Sequence, residues 1–286
     1  MSFWTIEVRP LSGSIGAEIR GVDLSRDLGQ ETFAEIHQAF LDHLVVVFRD
    51  QHLTPEQQIA FAGRFGSPVP DPFMKSAEGR PELVVVVKEK NERAAFGEVW
   101  HSDSTFLDRP PLASTLYARE IPPYGGDTIF ANQYLAYESL SPGLRQTLDG
   151  MKAVHAPVSY TDAIADGTLD DRRAMKLRND AVMKAAMEGQ VEHPVVRTHP
   201  ETRRKALFVN PAYVVRFVGW TEAESRPLLE YLYAHMVRPE FTCRFRWSVD
   251  ALALWDNRCT LHHPVNDYHG QRRVMHRVLV QGGRPL

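Results

Sequence analysis

Four segments decide the fold: FTCRFRW (241–247), ALALWDN (251–257), CTLHHP (259–264) and RVMHRVLVQGG (273–283). Each is short, rich in aromatic, aliphatic or β-branched residues, and bounded by turn residues such as Asp250, Pro264 and the Gly282–Gly283 pair. The gaps between them are too short for a crossover helix, which a parallel pair of strands would need. Strand following strand in this way predicts an antiparallel double-sheet barrel rather than a doubly wound sheet.

The rest of the chain fits that reading. TIEVRPL and GAEIRGVDL predict two short strands joined at a Gly-Ser turn, and VVVF (45–48) a buried one. LVVVVKEK, VWHSDSTF (99–106), ASTLYAREI, DTIFAN, PVVRTH, KALFVN and VVRFVG predict further strands. Phe33, Ile36, Phe40 and Leu44 recur at helical spacing. TPEQQIAFAGRFG reads as a helix with Thr54 as N-cap, Pro55 at the first position and Gly66 after the last turn. YLAYESLSPGLRQTL reads as one helix, and TEAESRPLLEYLYAHMV as another, with Thr221 and Glu224 in a capping-box pattern. Residues 159–192 are polar, charged and short of apolar residues, so they predict an insertion within a single domain spanning 1–286. A lid over the barrel mouth is one reading of the insertion, and a passive surface excursion is the other.

Composition excludes several functions. A chain with 43% hydrophobic and 24% charged residues can bury a core without staples. A formal net charge of -3 gives no basic field for nucleic acid. No apolar run approaches the roughly 20 residues that span a bilayer, and the N-terminus has no charged start followed by an apolar run. Cys243 and Cys259 are too few for a disulfide framework and predict buried thiols in a reducing cytoplasm.

Candidate chemistry lies in two places. His101 and Asp103 stand two apart in EVWHSDSTF, which on a strand puts both on one face. With a third ligand from His262 they would form a 2-His-1-carboxylate set, which suits Fe(II) and leaves coordination positions open. A strand histidine hydrogen-bonded to its neighbouring Asp is the plainer alternative. Adjacent strand residues face opposite ways, so only one of His262 and His263 can join the set. On RVMHRVLV, Arg273, Met275 and Arg277 share one face, and Val274, His276, Val278 and Val280 the other. Two guanidiniums inside a barrel need an anion to meet them. Alternation alone leaves open which face is inside.

The chain resembles the TauD/TfdA family of Fe(II)- and 2-oxoglutarate-dependent dioxygenases, nearly end to end. The segments that carry the resemblance are GAEIRGVDL, WHSDSTF, PPYGGDTIFAN, HPVVRTHP, ALFVN and WDNRCTLHHPVNDYHGQRRVMHR. The resemblance implies a double-stranded β-helix, a jelly-roll barrel with helices packed outside. It implies His101, Asp103 and His262 as iron ligands, with His262 preferred over His263. It also implies that Thr128 and Arg273 hold the distal carboxylate of 2-oxoglutarate, and that Arg277 lies near its other carboxylate and the substrate's anionic end. The implied reaction consumes 2-oxoglutarate and O2, releases succinate and CO2, and hydroxylates a substrate C–H.

Four further positions bear on the substrate. Asp71 and Met74 fall where taurine-using members carry a His and a Tyr, Gly97 replaces a pocket asparagine, and Tyr213 looks like an aromatic wall. KSAEG, WHSDSTFLDRPP and EFTCRFRW look closer to the aryloxyalkanoate dioxygenase branch, so a small anionic substrate with an apolar or aromatic body is the expectation. Asp71 complicates this: it could repel the anion, recognise an amine, or simply close a turn beside two prolines. A non-catalytic metal-binding barrel and a zinc hydrolase are the competing functions. A homodimer or homotetramer is the expected assembly.

Overall fold

The computed structural model describes residues 3–157 and 189–286. Two sheets face each other. The larger has nine strands, in the spatial order Glu7–Pro10, Ala17–Arg20, Val45–Phe48, Leu252–Asp256, Ala113–Glu120, Arg273–Val280, Arg80–Lys88 and Ser76–Ala77, with Pro68–Val69 also on Arg273–Val280. The smaller runs Thr242–Phe245, Thr128–Asn132, Thr260–Pro264. Within these two sheets only Ala17–Arg20 and Val45–Phe48 pair in parallel. This is the expected jelly roll, and the four C-terminal segments alternate between its two sheets.

Residue alternation builds two cores from one sheet. Val45, Val47, Ala253, Trp255 and Met275 point inward and meet Phe130 and Phe245 from the small sheet and Trp247 just beyond it. Val46, Phe48, Leu252, Leu254, Val278 and Val280 point outward and pack on Ile36, Phe40, Phe61 and Ala62 of the helices Gln30–His43 and Pro55–Gly63. Both faces of Arg273–Val280 are therefore buried, and its arginines share the inward face with Met275. A third cluster lies outside the small sheet, where Leu229, Leu232 and Met236 of the helix Glu222–Met236 cover Ala131 and Leu261. Leu261 facing outward places His262, its neighbour, inward.

The caps behave as read. Thr54 with Gln57, and Thr221 with Glu224, form capping boxes. Three expectations are corrected. The second helix ends at Gly63, short of Gly66. The segment 134–148 is two helices, Gln133–Glu138 and Pro142–Leu148, because Ser141 caps a new helix with Pro142 in its first turn. Of the expected excursion 159–192, Val191 and Glu192 belong to the strand Val191–Pro194, which pairs with Lys152–His155; 159–188 lie outside the described residues. Among those described, no helix is long and apolar enough to cross a membrane.

Candidate metal centre and cosubstrate pocket

The segment 99–106 is not a strand, which corrects the expected route to the site. His101 makes a single bridge to His262, with the two backbones exchanging hydrogen bonds of 3.1 and 2.8 Å. Beyond it the chain turns, with Ser104 at φ 48° and Leu107 N–H donating to Ser104 O at 3.0 Å. Ser102, Ser104 and Thr105 favour such turns over strand pairing. Side chains pin this loop: the Ser102 hydroxyl donates to Asn257 O (2.6 Å), and Asn257 Oδ1 accepts from Asp103 N–H (3.3 Å). The turn still delivers Asp103 beside His101, so the two converge without sharing a strand face.

His101, Asp103 and His262 are buried, and their ligand atoms all lie within 4.8 Å of one another. Nε2 of His101 is 3.8 Å and Nε2 of His262 3.9 Å from Asp103 Oδ1. His101 Nδ1 lies 2.6 Å from the Val99 carbonyl, which fixes the proton there and leaves Nε2 as a lone pair. Asp103 Oδ2 accepts from the Ser114 hydroxyl (2.6 Å), Ser114 Oγ accepts from Asn257 Nδ2 (2.8 Å), and Asn257 Oδ1 accepts from Trp255 Nε1 (3.0 Å). This chain of bonds orients the carboxylate. Sequence reading missed Ser114 and Asn257 as site residues, although WDNR stood among the family-like segments.

Electrostatics keep the set deprotonated. Burial raises the Asp103 carboxyl, but His262, Arg277, His101 and the Ser114 bond outweigh it and hold it at about 2. Burial and the neighbouring His101 push His262 down to about 3, and burial lowers His101. At neutral pH the cluster thus offers one carboxylate and two neutral imidazoles, the donor set a hard-to-borderline divalent metal needs. His263 points away and stacks on Trp100, with ring centroids 5.4 Å apart.

Beside the metal cluster, Thr128 Oγ1 accepts from Trp247 Nε1 (3.0 Å), and the Arg273 guanidinium lies 5.8 Å from the Trp247 ring. Arg273 is buried, burial lowers its pKa, and its Nε and Nη2 have no hydrogen-bond partner among the described residues. Gly126 lets the guanidinium approach: at φ +70°, an added Cβ would sit 3.3 Å from Arg273 Cδ. A buried cation with unused donors, against the same tryptophan that donates to a threonine hydroxyl, has the chemistry to receive a carboxylate. Trp247 was not singled out from sequence as part of this pocket.

The substrate positions also gather here. Met74 and Tyr213 join Phe73, Val84, Phe106 and Ala212 in an apolar cluster, with Phe96 and Leu107 against it. The Tyr213 ring is 6.5 Å from His101. Gly97 is at φ +77°, and an added Cβ would lie 2.9 Å from His101 Cε1, so no side chain fits there. Asp71 closes the expected turn, and its other oxygen binds Arg277.

A second group, His199, Asp256 and Cys259, is equally compact. It is an ion network instead. Asp256 is taken by Arg258 (2.8 and 2.7 Å) and His199 (3.0 Å), and burial pushes the Cys259 thiol far up.

A jelly roll that gathers two imidazoles and a carboxylate, and buries an arginine with unused donors, has the make-up of a metal-dependent enzyme that binds an acidic cosubstrate. The sequence profile of the Taurine catabolism dioxygenase TauD, TfdA family matches residues 7–279. An alpha-ketoglutarate-dependent sulfate ester dioxygenase of Pseudomonas putida is 38% identical, covering 98% of this chain and 91% of its own. An alpha-ketoglutarate-dependent 2,4-dichlorophenoxyacetate dioxygenase of Cupriavidus pinatubonensis is 34% identical, over 96% and 97%. The crystal structure of a taurine dioxygenase from Burkholderia xenovorans superposes with a TM-score of 0.82 at 38% identity, over 99% and 91%. The chain belongs to the TauD/TfdA family. It is a 2-oxoglutarate-dependent dioxygenase whose metal centre, His101, Asp103 and His262, is of the kind suited to Fe(II).

Proposed function

We propose that this dioxygenase hydroxylates a C–H of a small organic anion with an apolar body, of the sulfate ester, sulfonate or aryloxyalkanoate type. The expectation that favoured the aryloxyalkanoate branch is widened, because the sulfate ester relative is 38% identical and the dichlorophenoxyacetate relative 34%. When bound, Fe(II), 2-oxoglutarate and O2 supply the oxidation: 2-oxoglutarate becomes succinate and CO2, and the substrate C–H becomes C–OH. If that carbon bears a sulfate-ester oxygen, the product collapses to an aldehyde and inorganic sulfate.

The chain's own residues bind and orient. His101, Asp103 and His262 are the metal ligands and Ser114 steadies the carboxylate. Arg273 and Thr128 hold the distal carboxylate of 2-oxoglutarate. Arg277 faces the substrate headgroup, and Phe73, Met74, Phe106 and Tyr213 enclose its body and exclude water. Gly97 leaves room beside His101. We read 1–286 as one catalytic domain, acting as a dimer or tetramer in the cytoplasm. The two free, buried thiols agree with a reducing compartment.

The single observation that carries the proposal is the buried His101–Asp103–His262 cluster in a barrel that also buries Arg273 with Nε and Nη2 unused. The test is succinate release by anaerobically iron-loaded protein given 2-oxoglutarate and then O2, across alkyl sulfates, sulfonates and aryloxy acids. Succinate that rises with one class supports the reading and names the headgroup. Iron bound with no succinate above background for any class removes these three headgroup types, and activity with zinc and no 2-oxoglutarate favours a hydrolase.

A further inference from the structure

The arginine that faces an incoming substrate already carries a carboxylate. Asp71 is buried, and its Oδ1 accepts the N–H groups of Phe73 (2.8 Å) and Met74 (2.7 Å). Its Oδ2 accepts from Nη2 of Arg277. Nη1 of the same guanidinium lies 3.6 Å from Asp103 Oδ1, and its Cζ lies 5.3 Å from the Phe96 ring. One short segment thus supplies both the counter-ion of Arg277 and two side chains of the pocket wall.

The charges of the loaded site can be counted. Fe(II) with the Asp103 carboxylate carries one positive charge. The guanidiniums of Arg273 and Arg277 offset the two carboxylates of 2-oxoglutarate. One positive charge is left for an anionic substrate, and Asp71 cancels it. Of the other ionic groups nearby, Asp127 accepts from Arg244 (2.6 Å), and the buried Lys88, whose Nζ has no hydrogen-bond partner among the described residues, lies in the field of Glu92 and Glu98. A buried guanidinium without a counter-ion would demand an anion; one already paired does not.

Resting on the function proposed above, we propose that Asp71 is an internal counter-ion that extends the substrate class of this site to uncharged molecules. These have the same apolar or aromatic body and a neutral isostere of the anionic headgroup, such as a sulfamate ester or a primary carboxamide. An S=O or C=O of such a headgroup accepts from Arg277 while its NH2 donates to Asp71, so an arginine–carboxylate pair matches it on both sides. An anion of the same shape offers acceptors only and meets the negative charge of Asp71. Asp71 is therefore a specificity-determining residue for the headgroup.

The test is binding, read by calorimetry under argon on protein loaded with Fe(II) and 2-oxoglutarate. Two matched pairs serve: hexyl sulfate with hexyl sulfamate, and phenoxyacetate with phenoxyacetamide. Wild type binds at least one neutral member no more than about threefold more weakly than its anion. Asp71→Asn keeps an acceptor for the Phe73 and Met74 N–H groups but loses the charge. It moves the affinity ratio toward the anion by about tenfold or more. Asp71→Ser takes its place if the Asn variant does not fold. An affinity ratio that shifts by less than about twofold overturns the proposal, as does a wild type that binds no neutral member. Succinate release in air by the same compounds reads the oxygenase function separately. A shifted ratio without succinate removes that function and leaves the counter-ion; succinate with an unshifted ratio does the reverse.

Discussion

Replacing Arg273 by Met should move stability and cosubstrate affinity in opposite directions. The side chain is buried, and Nε and Nη2 have no hydrogen-bond partner among the described residues. Met keeps most of the apolar stem against Trp247 and removes the charge. Tyr268 and the charge of Asp127 favour the charged form, but burial outweighs them, and replacing buried ionic groups by apolar ones of similar volume stabilises by about 1–4 kcal/mol. At about 2.1 cal/mol/K of unfolding entropy per residue, each kcal/mol is worth about 1.7 °C in a chain of 286 residues. Without 2-oxoglutarate the variant should therefore melt about 2–7 °C above wild type. With 2-oxoglutarate the order reverses. Two charge-assisted bonds of about 1.5–3 kcal/mol each are lost, a fall in affinity of about 10²–10⁴-fold. The assay is thermal unfolding of both proteins with Mn(II), with and without 2-oxoglutarate, joined to calorimetric titration. A variant that melts lower than wild type without cosubstrate, yet is still raised by 2-oxoglutarate, would refute the reasoning. Arg273 would then be a structural cation whose partner is already in the fold.

Three further outcomes are expected. Gly126→Ala crowds Arg273 Cδ at 3.3 Å from a residue at φ +70°, so 2-oxoglutarate binding should weaken about tenfold or more while metal stoichiometry stays at one; equal loss of both would point to general misfolding instead. His262→Ala should lose the metal in equilibrium dialysis and His263→Ala should keep it, since His263 stacks on Trp100; loss in both variants would mean that the strand register is not as described. His155 is fully buried and held well below the ordinary imidazole range by burial and by His193, itself lowered by burial. The unfolded chain therefore binds protons, around pH 6.5, that the folded chain refuses, so stability is full above that pH and falls as the pH drops below it. Urea midpoints at pH 7.5, 6.5 and 5.5 should decline in that order, and less steeply in His155→Gln; a flat profile would contradict the burial of the pair.

The sequence made the sheets legible because alternation and turn residues are local. Val45 to Phe48 and Leu252 to Trp255 read as strands, although their uniform apolarity left open which face is inside, and the capping boxes at Thr54 and Thr221 are written in four residues each. The candidate metal ligands were legible for a different reason, since family-like motifs named them; the strand argument that first joined His101 to Asp103 named two residues that do converge, but by another geometry. A turn at Ser104 with positive φ, pinned by Asn257 from 154 residues away, brings them together. No window around WHSDSTF contains Asn257, so no local rule could have found it.

Asp71 marks the limit most clearly. Its neighbours Pro70 and Pro72 announce a turn, and the turn is real, with two backbone N–H groups bound to Oδ1. The other oxygen meets Arg277, 206 residues on, and that contact changes what the arginine can recognise. Residue types at both positions were visible in the sequence, and each alone suggested a charged site: an anion for Arg277, a cation for Asp71. Paired, they cancel, and the same two residues describe a headgroup pocket that is polar on both sides and close to neutral. Charge at a site is a property of the set of side chains that the fold brings within a few ångströms. It is therefore the last feature to be read correctly from one strand or one motif, and here it is the feature on which the choice of substrate turns.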